Sequence, residues 1–176
     1  VSAGVSPEAG AGNMRSMFPL LLSFVAILAL MTFGFNAVIE RRNNPNQAIA
    51  SGPQGPQRVV LARNGNRQYV VPGLINAQQV TFLIDTGADS VAIPAATAER
   101  LGLERGMAIQ ALTAAGPTVA YATHLERISI GGIELRDIDG VIIPAAGDTE
   151  ILLGMSFLRH LDFQKKGDEL ILEAGS

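Results

Sequence analysis

The sequence contains no cysteine, no tryptophan and only two histidines. Without cysteine there can be no disulfide and no thiol chemistry, although this alone does not fix the compartment. His124 and His160 are too few for a histidine-rich metal site, and neither a metal nor another cofactor is expected. Charge is also scarce and nearly balanced. A formal net charge of -3 gives no electrostatic footprint for a nucleic-acid partner. What the chain does have is one long apolar run near its beginning and many short β-like segments after it.

Residues 1–16 are rich in Gly, Ala and Ser and read as a disordered tail. Residues 17–39 are almost wholly apolar, relieved only by small or weakly polar positions such as Ser23, Thr32 and Asn36. As a helix rising about 1.5 Å per residue, this run would extend about 34 Å, enough for one bilayer crossing. A cleaved signal peptide would have an apolar region of about 7–15 residues ending in a small-x-small site. The stretch Phe33-Gly34-Phe35-Asn36-Ala37 offers no good site of that kind. A buried core helix would need more surrounding protein than the chain supplies, so a single transmembrane helix is the expectation. Residues 40–57 are rich in Pro, Gly, Asn and Gln and read as a flexible linker.

From Arg58 the pattern becomes β. Val59-Val60-Leu61 and Gln68-Tyr69-Val70-Val71 flank Asn64-Gly65, a strong hairpin signal. A second hairpin is expected around Asn76-Ala77-Gln78, and a short strand at Val91-Ala92-Ile93. Residues 94–101 read as a helix with Pro in the first turn and Gly102 just past the end. Residues 107–112 and 118–130 read as strands around Thr113-Ala114-Ala115-Gly116-Pro117. A shift of apolar register suggests a bulge near Glu126-Arg127. Gly131-Gly132 turns into Ile133-Glu134-Leu135. Asp137-Ile138-Asp139-Gly140 reads as a turn, followed by a strand over 140–144. A short helix over 156–160 precedes a closing hairpin around Lys165-Lys166-Gly167-Asp168. Many short strands at regular spacing argue for an all-β, barrel-like domain over residues 58–174 with one or two short helices.

The most informative stretch is Val80-Thr81-Phe82-Leu83-Ile84-Asp85-Thr86-Gly87-Ala88-Asp89-Ser90. A run of β-formers ends in a carboxylate, then a hydroxyl residue and a glycine. That order suits a buried strand delivering Asp85 to a tight turn, with Gly87 permitting close backbone approach. An ordinary strand followed by an Asx-type turn is the structural alternative. An unpaired carboxylate beside an apolar run is costly, which weighs against a purely structural Asp85. The stretch resembles the active-site turn of aspartic proteases. A second element, Leu152-Leu153-Gly154-Met155-Ser156-Phe157-Leu158, resembles the later apolar-apolar-Gly segment of the retroviral type. The two lie in the right order roughly 65 to 70 residues apart, hard to obtain from turn statistics alone. With Thr113-Ala114-Ala115-Gly116, they make residues 57–174 similar to the bacterial, membrane-anchored branch of the retropepsin-like family.

The resemblance implies a retropepsin-like closed β-barrel and an aspartic endopeptidase. That chemistry needs two carboxylates about 3 Å apart that share a proton. One acts as base on a water molecule and the other donates to the substrate carbonyl. The chain has one Asp-Thr-Gly, so the second carboxylate is expected from another copy, placing Asp85 of each protomer at a two-fold axis. By resemblance, Thr86 would bond across that homodimer, and Gly87 and Ala88 would support the site. Asp89 and the segment Thr113, Ala114, Ala115 and Gly116, a candidate flap, would bind peptide. Met155 stands where retroviral enzymes commonly carry an Arg that steadies the residue at the Asp89 position. A catalytically silent peptide-binding or dimerisation module is the alternative from another functional class. The arginine count, Arg15 before the apolar run and Arg41-Arg42 after it, favours a cytoplasmic domain. A start at Met14 would nearly balance the charges. The resemblance points to a single-pass bacterial inner-membrane protein with a periplasmic domain.

Overall fold

Alternation of buried apolar and exposed positions sets the strands, and long-range partners decide which of them meet. The computed structural model describes residues 12–49, 57–113, 116–144 and 150–175, with side chains described from Leu22 onward except at positions 37, 40 and 41. Helix α1 spans Gly12–Asn43. The chain separates into two compact units, Val1–Glu40 and Arg41–Ser176. In the first, the side chains of Leu22, Phe24, Val25, Leu30 and Phe33 are exposed. Among the described residues, no helix is long and apolar enough to cross a membrane. The transmembrane helix expected over 17–39 is not found among the described residues, and the side chains at 17–21 and 37 lie outside them.

Among its described residues the second unit holds ten strands: β1 (Arg58–Ala62), β2 (Val70–Ile75), β3 (Gln78–Ile84), β4 (Val91–Pro94), β5 (Ala108–Thr113), β6 (Gly116–Ile130), β7 (Ile133–Ile143), β8 (Ile151–Leu153), β9 (Leu161–Lys166) and β10 (Glu169–Ala174). Helix α2 (Ala95–Leu101) follows β4 and helix α3 (Met155–Leu158) follows β8. Neighbouring strands run β2-β3-β8-β4-β7-β6, and β6 returns to β2 through Leu74 with Ser129 and Ile75 with Ile128. The ring is thus a closed six-stranded barrel, as expected from the sequence, with β5 attached outside it to β6. Closure leaves no free edge among the six. Phe82, Leu125, Ile142, Leu153 and Phe157 are fully buried in one continuous core. Truncating a large core side chain such as Phe82 to Ala costs about 3–5 kcal/mol.

Several expectations need correction. Asn64-Gly65 does turn the chain, and the Asn64 Oδ1 accepts from the Asn66 and Gln68 amides. The flanking strands do not form a hairpin, however. β1 pairs with β10 and β2 with β3, in different sheets. The β2–β3 hairpin around Asn76 and Ala77 forms as expected, both residues having positive φ. Residues 133–143 make one strand, so Asp137-Ile138-Asp139-Gly140 is not a turn. The expected bulge near Glu126 is a different device. Leu125 pairs with Ile138 and Arg127 with Arg136, so no residue is inserted. The Glu126–Asp137 step is missing from the ladder, Asp137 is left-handed at φ 55, and the inward face switches there from Leu125 to Ile128.

The linker also departs from expectation. Asn46 is 5% exposed. Its amide donates to the Ala62 and Val70 carbonyls at 2.9 and 2.8 Å, and its Oδ1 accepts from the Ala62 N–H at 2.8 Å. One side chain thus bridges β1 and β2 where they fail to pair. Residues 50–56 lie outside the described residues.

Candidate active site

Asp85 ends β3 because Val80 and Phe82 point into the core and hold the strand in register up to Ile84. β3 runs parallel to β8, with Ile84 opposite Leu153, and β4 approaches β8 from the other side through Ala92 and Leu152. The three-residue strand β8 therefore sits between the strand that enters the Asp85 turn and the strand that leaves it.

Four hydrogen bonds fasten the turn to β8 and α3. The Asp85 N–H donates to the Leu153 carbonyl at 3.2 Å, and the Met155 N–H to the Ala88 carbonyl at 2.8 Å. The Ser156 N–H donates to the Asp89 carbonyl at 2.9 Å, and the Val91 N–H to the Ser156 hydroxyl at 3.0 Å. The same hydroxyl donates to the Asp139 carbonyl of β7 at 2.8 Å. Gly154 is required at the crossing, since a Cβ there would lie 2.6 Å from the Ala88 carbonyl oxygen. Within the turn, the Gly87 N–H donates to Asp85 Oδ1 at 2.9 Å, which orients the carboxylate. Asp85 is half-buried, while Thr86, Gly87 and Asp89 are exposed. The turn is thus fixed from inside and open outside.

The flap candidate is the β5–β6 hairpin. Thr113 pairs with Gly116, and the Thr113 hydroxyl donates to the Gly116 carbonyl at 2.8 Å. Ala114 and Ala115 lie outside the described residues. Leu112 on this hairpin is 85% exposed. Asp137 and Asp139, the acids of the segment expected as a turn, face His124. His124 Nε2 lies 3.3 Å from Asp137 and Nδ1 lies 3.9 Å from Asp139. Two surface cavities, of 630 and 650 Å³, open beside His124 and beside Arg100, and Asp85 lines neither. Among the described residues, no cluster of three or more His, Asp or Glu could hold a metal ion.

Sequence reasoning missed Ser156. Its signal was a hydroxyl in an otherwise apolar helix, two residues after Gly154. It answers in part how the Asp89 region is held without an Arg at position 155: the Asp89 backbone is bonded by Ser156, and Met155 packs against the core.

Residues 71–160 match the family described as gag-polyprotein putative aspartyl protease. The chain is a member of this aspartyl protease family. The Asp85 turn, β8 and α3 all fall inside the matched region. A retropepsin-like aspartic protease from Rickettsia conorii, known from its crystal structure, is 29% identical. The match covers 66% of this chain and 90% of that one, with a TM-score of 0.57. The aspartyl protease barrel described above is thus retropepsin-like. Among curated proteins, the "Uncharacterized protein in cobV 5'region" of a Sinorhizobium species is 33% identical over 128 residues, 70% of this chain and 55% of its own length. An uncharacterized protein of Rickettsia prowazekii (strain Madrid E) is 32% identical over 119 residues, 65% of this chain and 50% of its own. The chain therefore spans about half the length of the curated relatives it matches.

Proposed function

We propose that this aspartyl protease family member is an aspartic endopeptidase whose active site is completed by a second copy of the chain. The observation that carries the reading is the single Asp-Thr-Gly at the Asp85 turn, which is fixed on its inner side and open on its outer side. Two Asp85 carboxyls across a two-fold axis would share one proton. The ionised one takes a proton from water as the oxygen attacks the peptide carbonyl, and the protonated one donates to the carbonyl oxygen. The resulting tetrahedral diol collapses, breaking the C–N bond as the amine leaves with a proton. Thr86 would tie the two turns together, Gly87 and Ala88 would lie along the peptide, and Asp89 would receive a main-chain amide. The exposed β5–β6 hairpin, whose last described pair is Thr113 with Gly116, would close over substrate and exclude water.

The proposal includes attachment to a bacterial inner membrane through the apolar residues of α1, with the domain in the periplasm. The apolar sequence of 17–39 supports attachment. An alkaline phosphatase fusion after Ser176 should be active and a cytoplasm-dependent fluorescent fusion dark; the reverse pattern overturns the placement. Anchoring two copies in one membrane would raise their effective concentration. The peptidase reading is tested by incubating the purified chain with a mixed peptide library across a dilution series. Cleavage with specific activity that rises with protein concentration is expected. Binding without cleavage at any concentration would instead favour a silent peptide-binding module.

A further inference from the structure

Three stretches distant in sequence meet at one place in the second unit. The turn after β1 caps the last residues of α1. The Gly65 N–H donates to the Arg42 carbonyl at 3.2 Å, and the Asn64 side-chain amide donates to the Asn43 carbonyl at 3.1 Å. The Arg42 guanidinium lies against the same glycine, with Nε and Nη2 3.8 Å from where a Cβ would stand. The turn also meets the β9–β10 connection. There the Arg63 N–H donates to the Asp168 carbonyl at 3.3 Å, and the Arg63 guanidinium lies 3.5 Å from the Asp168 carboxylate. Residues 42–43, 63–67 and 165–169 thus bring together Arg42, Arg63, Arg67, Lys165 and Lys166 against two acids, Asp168 and Glu169. The chain as a whole is acidic, with a formal net charge of -3, so its cations are concentrated here. Arg63 is tied down by Asp168 and by Tyr69, whose ring centroid is 5.4 Å away. The other four cations are exposed, and among the described residues none of them makes an ion pair. Arg42 stands three residues beyond Ile39, where the apolar run of α1 ends.

We propose that this basic face docks on an anionic lipid surface and gives the chain a second membrane contact beside the apolar residues of α1. Exposed cations without acid partners keep their full attraction for a negatively charged surface. Backbone hydrogen bonds hold the three stretches together, so the cations are presented as a group without ordering a loose segment first. Lipid phosphates accept hydrogen bonds from guanidinium and ammonium groups alike. An apolar anchor with a polybasic patch holds a membrane more firmly than either does alone. The cations stand just past the apolar run, where a chain leaving the bilayer meets the headgroups. The inference rests on the membrane attachment of the proposed function. It depends neither on which side of the membrane holds the domain nor on the shared dyad.

The absence of cysteine makes the test clean. In the full chain, Asn66→Cys supplies one exposed thiol in the middle of the patch for a fluorophore. The labelled chain is mixed with vesicles of phosphatidylcholine, with or without phosphatidylglycerol, that carry a quencher on their headgroups. With phosphatidylglycerol the label should be quenched, and high salt should release it. On phosphatidylcholine alone the chain should still float with the vesicles through α1 while the label stays bright. On the anionic vesicles, Arg42→Gln, Arg67→Gln and Lys166→Gln should each lower the ratio of docked to undocked chains about five-fold, with unchanged melting curves. Flotation with the same label signal on both lipids, or quenching indifferent to all three substitutions, would overturn the basic face and leave membrane attachment standing. Release by inorganic phosphate but not by chloride at equal ionic strength would also overturn it, in favour of a site for a single anion. A chain that floats with neither vesicle would overturn the attachment itself.

Discussion

The Asp85 turn is bonded to β8 and α3 by four hydrogen bonds, whereas the described residues of the β5–β6 hairpin between Ala108 and Ala120 are bonded as a ladder only to each other. One region has its backbone fixed by neighbours distant in sequence. The other projects exposed Leu112 and Val119 from a two-stranded ribbon, and isolated ribbons of that kind are marginal on their own. The difference teaches where each kind of mutation should register. Changes beneath the turn should cost stability and activity together, and changes on the hairpin should spare the fold and alter substrate handling.

The largest effect is expected at the turn itself. Asp85→Asn should lower turnover by at least the ~10²–10⁴-fold that general acid–base groups contribute, with an unchanged melting curve. Full activity in a folded variant would remove the proposed chemistry. Next comes the support beneath it. Gly154→Ala sets a methyl group against the Ala88 and Ser90 carbonyls, which are backbone and cannot step aside. A loss of about 1–3 kcal/mol or more in denaturant unfolding should follow, and wild-type stability would show that the crossing yields easily.

Ser156→Ala should act on the same side with a smaller effect. It strands the buried Val91 N–H, and an unsatisfied buried group costs about 1–3 kcal/mol. Ser156→Thr keeps the hydroxyl and should recover most of the loss; equal behaviour of the two variants would deny the hydroxyl its part. The smallest stability effect belongs to the hairpin. Leu112→Ala, at a site 85% exposed, should change unfolding by less than about 0.5 kcal/mol while raising KM. A destabilised Leu112→Ala protein, or one with unchanged kinetics, would erase the contrast between turn and hairpin.

What the sequence made legible follows the same division between local and distant causes. The β2–β3 hairpin was readable because Asn76 and Ala77 define it locally. The Asp85 turn and the Leu152-Leu153-Gly154 segment were readable because a β-run ending in Asp-Thr-Gly and an apolar pair ending in Gly are unusual orders. The pairing of β1 was not, since Asn64-Gly65 supplies a real turn while β10, far along the chain, supplies the partner. Asn46 was hidden for a related reason. In a Pro- and Asn-rich segment it reads as tether, and only the gap between β1 and β2 gives its amide three partners. Ser156 showed only as a hydroxyl among apolar residues, and its role was hidden because it serves two strands that sequence order does not bring together.

The central claim, that one turn is half of a site, has a direct test by subunit mixing. Wild-type chain is combined with Asp85→Asn chain at constant total concentration, allowed to exchange, and assayed on one peptide. If each site needs an Asp85 from both copies, activity falls as the square of the wild-type fraction. A fall in simple proportion to the wild-type fraction would mean that each chain carries a complete site, and would contradict the shared dyad.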